Sequence, residues 1–534
     1  MHCLTRCVRT SVSANPNNSP ELVENLFAIL KIKTYKMPKV KTVISLSSQC
    51  INRIKSSLII YYFPINSKLL KTWRGRPLSI QQRTDTEPDI NPFQRIPTVL
   101  SEAIIQSLCI RKYLKAVKQY NITFLITTEL QKLNAPSYHY DYKQFLNFFP
   151  KLERLQVLVL CYSNIGNAGL KLIGTWCKNL RILDVNSCSK LTDTGIEWLV
   201  LKPTELGKTL QELLVNCATV TKRGIKMALQ NFPALQVVEN DNIFDALLEE
   251  VVLSSSLAQP HILNTSFARL TILPAGEYRN GQLELVMQYC PLLFDIGIIV
   301  KEGLTDTDLL SLTKMKNLQI LKFMLHPSST GQEITFDKGL APVLKVIGRS
   351  LKVLDISYFE FVDIWTVVRF CPNLISLTFD NQCPSLSALS ENEIINRERN
   401  EKGRVILEDL KVLRCGFNLS NDILFDLLSC PLLEMVDISF CDALTDDLLQ
   451  EVLAIGFLKN LNLLHLESCH LVTKQGLDAL VLNDNLLERI SLFFCRKITH
   501  QNVLDWHSIA RQKNWKLRLD YENLDSKPIS LIFA

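Results

Sequence analysis

The sequence predicts an α/β solenoid: stacked strand and helix units, with a parallel sheet lining a concave side, helices on the convex side, and a small helical region in front. Three observations lead there. A phrase Leu-x-x-Leu-x-Leu returns along the chain, its starts usually about 23 to 30 residues apart. Cysteines follow several of these phrases at one fixed place, and a threonine then opens a helix-forming run.

Strong copies of the phrase begin at Leu155, Leu180, Leu210, Leu318, Leu351, Leu374, Leu410, Leu433, Leu461 and Leu487, with weaker ones near 235–238, 270–272 and 292–298. Alternate residues of a strand point to the same side, so each phrase turns its leucines inward, and the apolar run after it returns as a helix. One unit cannot bury both faces alone, so the units must stack. Cys188, Cys217, Cys441, Cys469 and Cys495 stand just after their strands. Phrases such as Leu191-Thr192-Asp193-Thr194-Gly195-Ile196 and Val472-Thr473-Lys474-Gln475-Gly476-Leu477 place a threonine where its hydroxyl can accept from the first free amides of a helix. Cys290-Pro291, Cys371-Pro372 and Cys430-Pro431 mark helix ends. Together these features resemble the cysteine-containing leucine-rich repeats of F-box and Zyg-eleven/Zer-type ubiquitin ligase receptors, over most of residues 150–520.

Two stretches break the period. Residues 239–285 carry Asp241, Asp245, Glu249, Glu250 and a serine run, and residues 384–406 insert a polar segment. Both read as solvated loops on one face, a binding loop being the alternative. On the concave side the outward strand positions include Asp184, Asn186, Asp355, Asp437, His465, Glu467, Ser491 and Phe493, the expected client-binding surface. Their mixed polarity encodes no single ligand class.

Ahead of the repeats, residues 1–36 read as a flexible extension through Asn15-Pro16-Asn17-Asn18-Ser19-Pro20, with Met37 as an alternative start. Residues 37–115 read as a helical region, 116–520 as the solenoid and 521–534 as a tail. Within the helical region Leu46, Cys50 and Ile54 lie four apart, a narrow apolar stripe suited to a groove on another protein. The alternative is that the stripe caps the repeats. The pattern resembles the elongin-C-binding box of VHL-box proteins, and Ile96-Pro97 with Leu100 and Ile104 resembles their cullin-2 box. The resemblance implies a substrate receptor that binds elongin C (with elongin B) through Leu46, Cys50 and Ile54, and cullin-2 through Ile96, Pro97, Leu100 and Ile104, while the repeats hold protein clients. Ile96-Pro97 also admits an F-box reading, against which no tryptophan follows until Trp176. A leucine-rich scaffold outside any ligase is the other possibility.

Hydrophobic residues at 47% and charged residues at 21% are those of a folded chain, so disorder is excluded as the main state. The net charge of +6 is spread along the sequence, and its basic first eighty residues carry no interleaved stacking aromatics, which argues against nucleic acid. Neither a secretory signal nor an apolar run of membrane-spanning length is found. Cysteines at repeat positions read as reduced, buried hydrophobes, which points to the cytoplasm or nucleus. His465, Cys469 and His470 share one strand and turn, which suits a repeat position better than zinc. No phosphate-cradling glycine loop or nucleophile setting stands out, so the expectation is a non-catalytic adaptor with no cofactor and no metal.

Overall fold

The computed structural model describes residues 97–109, 125–137, 148–200, 206–256, 267–272, 281–300, 303–325, 334–359, 362–380, 406–416, 419–483, 485–523 and 529–531. Leu46, Cys50, Ile54 and Ile96 lie outside them, as does most of the 384–406 insertion.

Sixteen strands form one sheet in strict sequence order. They are β1 (Lys132–Asn134), β2 (Val157–Val159), β3 (Ile182–Asp184), β4 (Glu212–Leu214), β5 (Val237–Glu239), β6 (Arg269–Ile272), β7 (Asp295–Val300) and β8 (Ile320–Leu325), followed by β9 (Val353–Ser357), β10 (Ser376–Asp380), β11 (Val412–Gly416), β12 (Met435–Ser439), β13 (Leu463–Glu467), β14 (Arg489–Phe493), β15 (Arg518–Glu522) and β16 (Ile529–Leu531). β1 to β15 run parallel and β16 returns antiparallel on β15. Consecutive helices pack on one another behind the sheet. This is an α/β leucine-rich-repeat solenoid.

Its core follows from the phrase. Leu158, Leu183, Leu213, Leu321, Leu354, Leu377 and Leu413 are fully buried and align rung on rung with their neighbours across the parallel pairs. Each such side chain contributes about 1.5–3 kcal/mol on leaving water, and stacking is what removes the water. The cysteines supply a second ladder: the Cys188 thiol donates to the Leu160 carbonyl at 3.3 Å, Cys217 to Val185 at 3.2 Å and Cys469 to Ile438 at 3.5 Å. Asn240, with its amide donating to the Val215 carbonyl at 2.9 Å, does the same work in the fifth unit. None of the described cysteines is disulfide-bonded.

A third ladder explains the threonine and glycine phrases. Asp446, at the start of helix Asp446–Ala454, accepts from both the amide and the hydroxyl of Thr473, the residue that caps the next helix, Lys474–Leu482. Asp193 accepts in the same way from Thr221, and Asp306 from Thr335. Asn167 exchanges two hydrogen bonds with Thr192. Each linking carboxylate or amide oxygen lies where a β-carbon would stand on a glycine of the following helix, Gly195, Gly224, Gly339 or Gly476. The glycine therefore admits the oxygen that ties its helix to the preceding one.

Both ends of the sheet differ from the expectation. Helix Thr98–Cys109 lies against β1 and seals that edge: Glu102 Oε1 accepts from the amides of Gln131 at 3.2 Å and Lys132 at 2.9 Å. β1 itself has no full leucine phrase to announce it. Leu125 is in a 3₁₀ turn. At the other end residues 529–531 belong to the sheet rather than to a tail. The stretch after β5 is also not simply a loop: helix Ile243–Ser256 buries Ile243, Phe244, Ala246 and Leu247, while Glu249 and Glu250 pair with Lys222 and Lys226.

Candidate interaction surface

The outward residues of the strands form rows because the strands are in register. One row runs Lys322, Asp355, Thr378, Arg414, Asp437, His465, Ser491, Asp520 from β8 to β15. The next row toward the carboxyl ends of the last strands runs Gly416, Ser439, Glu467, Phe493, Glu522. Asp355, Asp437, His465, Glu467 and Phe493 are thus brought onto one surface, each half-buried. Asp184 and Asn186 sit far along the same sheet, beside β4, where Asn186 donates its amide to Asp184 Oδ1 at 3.1 Å and accepts from the Asn216 amide at 2.6 Å.

Ser491 departs from its expected role. It occupies the outward row but is only 2% exposed, so it is a covered floor position rather than a contact. Asp520, next to it, is 6% exposed and takes Arg489 at 2.8 Å and Arg518 at 3.0 Å, and these long side chains lie over the row. Short serine between such neighbours is shaded, a fact that the period-two pattern alone cannot convey.

Further along, Asp437 Oδ2 faces Arg414 Nε at 3.7 Å, and its Oδ1 is 3.9 Å from His465 Nε2. His465 also stands 3.9 Å from Glu467 Oε2 and packs on the Phe493 ring with centroids 5.2 Å apart. Burial is the main influence on Asp355 and raises its carboxyl above the ordinary value, with Ser357, Lys322 and Arg414 pulling the other way. Burial likewise raises Asp184, against the Asn186 amide and the Cys161 thiol.

The described thiols that burial shifts are not poised for chemistry. Burial pushes Cys177, Cys290 and Cys371 up to about 12, and burial, then Asp184, takes half-exposed Cys161 to about 11. A nucleophilic cysteine needs the opposite shift. Among the described residues no three His, Cys, Asp or Glu side chains form a group that could hold a metal ion, and no helix is long and apolar enough to cross a membrane.

Of the second box, Pro97 is exposed and Leu100 half-buried, but Ile104 is fully buried and packs with Ile105 in the core. The i, i+4 spacing put Leu100 and Ile104 on one face, yet the helix meets β1 along the side that holds Ile104. Ile104 therefore anchors the helix and offers nothing to a partner. Val99, which the sequence reading passed over, is the exposed apolar residue of the first turn, at 64%.

No family model matches the chain. Among solved structures, the Rad7 and Elc1 complex in yeast is similar at 16% identity over 86% of this chain and 96% of that one, with a TM-score of 0.46. An internalin from Listeria monocytogenes is similar at 14% identity over 80% and 95%, with a TM-score of 0.32. A TLR13–ssRNA13 complex follows at 16% identity over 71% and 59%, with a TM-score of 0.27.

Proposed function

We propose that the chain is the substrate-recognition subunit of a ubiquitin ligase built on elongin B, elongin C and cullin-2. In this reading Leu46, Cys50 and Ile54 fill a groove on elongin C, Ile96, Pro97 and Leu100 address the cullin, and the strand-lined face holds the client. The observation that carries it is the pairing of the two boxes in sequence, with the second opening a helix whose first turn stays accessible while its far side is fixed to the solenoid. The protein supplies no catalytic group. It raises the concentration of client lysines near a recruited conjugating enzyme, a proximity effect.

A scaffold outside any ligase is the second reading, and the burial of Ile104 favours it, because that burial makes the helix an end cap in its own right. Purification of the full chain with identification of its companions separates the readings. Elongins B and C are expected, and their loss from Leu46→Ala with Cys50→Ala. A Skp-type adaptor in their place would indicate an F-box receptor, and unchanged elongin recovery by the double variant would overturn the box assignment.

A further inference from the structure

Along the strand-lined face several carboxylates are balanced by arginines of the same sheet. Arg269 meets Asp295 at 2.6 Å, Arg414 faces Asp437, and Arg489 with Arg518 holds Asp520. The balance fails at the carboxyl ends of β13 to β15, where Glu467, Phe493 and Glu522 stand side by side on three neighbouring strands. Neither glutamate has a lysine or arginine partner among the described residues. Glu467 faces only the His465 imidazole among the described ion-pair partners, and that at 3.9 Å.

Phe493 is the only Phe, Tyr or Trp at an outward position of the described strands whose alternation is resolved. Its ring lies beside the His465 imidazole on the neighbouring strand, with the two planes tilted by 58°. Adjacent strands lie about 4.8 Å apart, so a carboxylate flanks the ring on each side within reach of anything resting on it. An anion would meet two uncompensated negative charges. A purely apolar group would strip water from both carboxylates without replacing it. A cation above the ring gains the ring quadrupole and both carboxylates together. The attraction must be local, because the molecule as a whole carries +6 and repels a basic peptide.

We propose that Glu467, Phe493 and Glu522 form a notch that takes an arginine or lysine side chain from an extended, basic segment of a client protein. The inference rests on the strand-lined face being the client surface, and not on the elongin contact.

The test is a positional-scanning array of nonapeptides probed with the full-length protein, followed by anisotropy titration of the best peptide. Selection of arginine or lysine at one position is expected, and citrulline there should weaken binding about tenfold, the scale of one desolvated cation–π contact. Glu467→Gln with Glu522→Gln should lose about tenfold and Phe493→Leu at least about threefold, while Glu488→Gln, a carboxylate paired with Lys516 elsewhere on the sheet, should change nothing. Thermal melts of the variants check that they fold. Selection of acidic or apolar residues, no selection, a basic preference that survives the Glu467 and Glu522 changes, or an equal loss in Glu488→Gln would each overturn the proposal. Peptide binding is read without elongin, so its failure is distinct from failure of the ligase reading.

Discussion

Replacing Gly476 with alanine tests whether the inter-helix ladder is needed. The alanine β-carbon would stand 2.9 Å from Asp446 Cγ and 3.0 Å from Asp446 Cα, with Oδ1 closer still. Alanine is the better helix former by about 1 kcal/mol, so an uncrowded site would gain stability. Relief of the clash has two routes. The helices can part, at the usual overpacking cost of about 1–3 kcal/mol. Alternatively the carboxylate can swing away and give up both bonds from Thr473, each of which has a charged acceptor and is worth about 1.5–3 kcal/mol. Either way the loss exceeds the propensity gain, and a net destabilisation of about 2 kcal/mol is expected. Solenoids need not unfold in one step, so the measurement is native-state hydrogen exchange in helix Lys474–Leu482 beside guanidinium melts. In an Asp446→Ala background the cost of Gly476→Ala should fall by at least about half, since the two sites couple through contact. A Gly476→Ala protein as stable as the parent, or more stable, with no dependence on residue 446, would refute the reasoning.

Other outcomes are expected on the same footing. Glu102→Ala should expose the Gln131 and Lys132 amides to faster hydrogen exchange and cost about 1–2 kcal/mol, because two amides lose a charged acceptor; unchanged exchange would show that the helix does not seal β1. Asp355 has a raised folded pKa, so between its ordinary value of 3.8 and that raised value the native state holds the extra proton, and stability falls as pH rises through the window. Asp355→Asn should remove this dependence: its stability relative to the parent should be highest near neutral pH and shrink on acidification, which denaturant melts across pH would read. Alkylation with iodoacetamide at pH 8, followed by peptide mass spectrometry, should leave Cys177, Cys290 and Cys371 unlabelled in the folded protein, given burial and thiols pushed up to about 12.

Much of the solenoid is legible because its signals are local and periodic. The leucine phrase predicts the strands, Thr445, Thr473 and Thr499 cap helices as their position suggests, and Cys290 and Cys371 end theirs. What escapes notice is set by neighbours distant in sequence. β1 is three residues whose only strong signal is a helix thirty residues upstream, bound through one glutamate. The burial of Ser491 depends on arginines in its own strand and the next, and that of Ile104 on the angle at which a helix meets a sheet. The glycine in several threonine phrases is visible in sequence, but its reason is an aspartate or asparagine about 28 to 33 residues earlier, one repeat away.

Glu102 and Ile104 have a practical consequence for dissecting the protein. The helix that bears the second box is also the lid on the first rung of the sheet, so a shortened chain beginning after residue 109 would lose the proposed docking element and bare a raw edge in one cut. Self-association or poor yield of such a fragment would report on the missing lid. Point changes on the outward side of that helix, at Pro97 or Val99, leave the closure intact and are the cleaner way to ask what docks there.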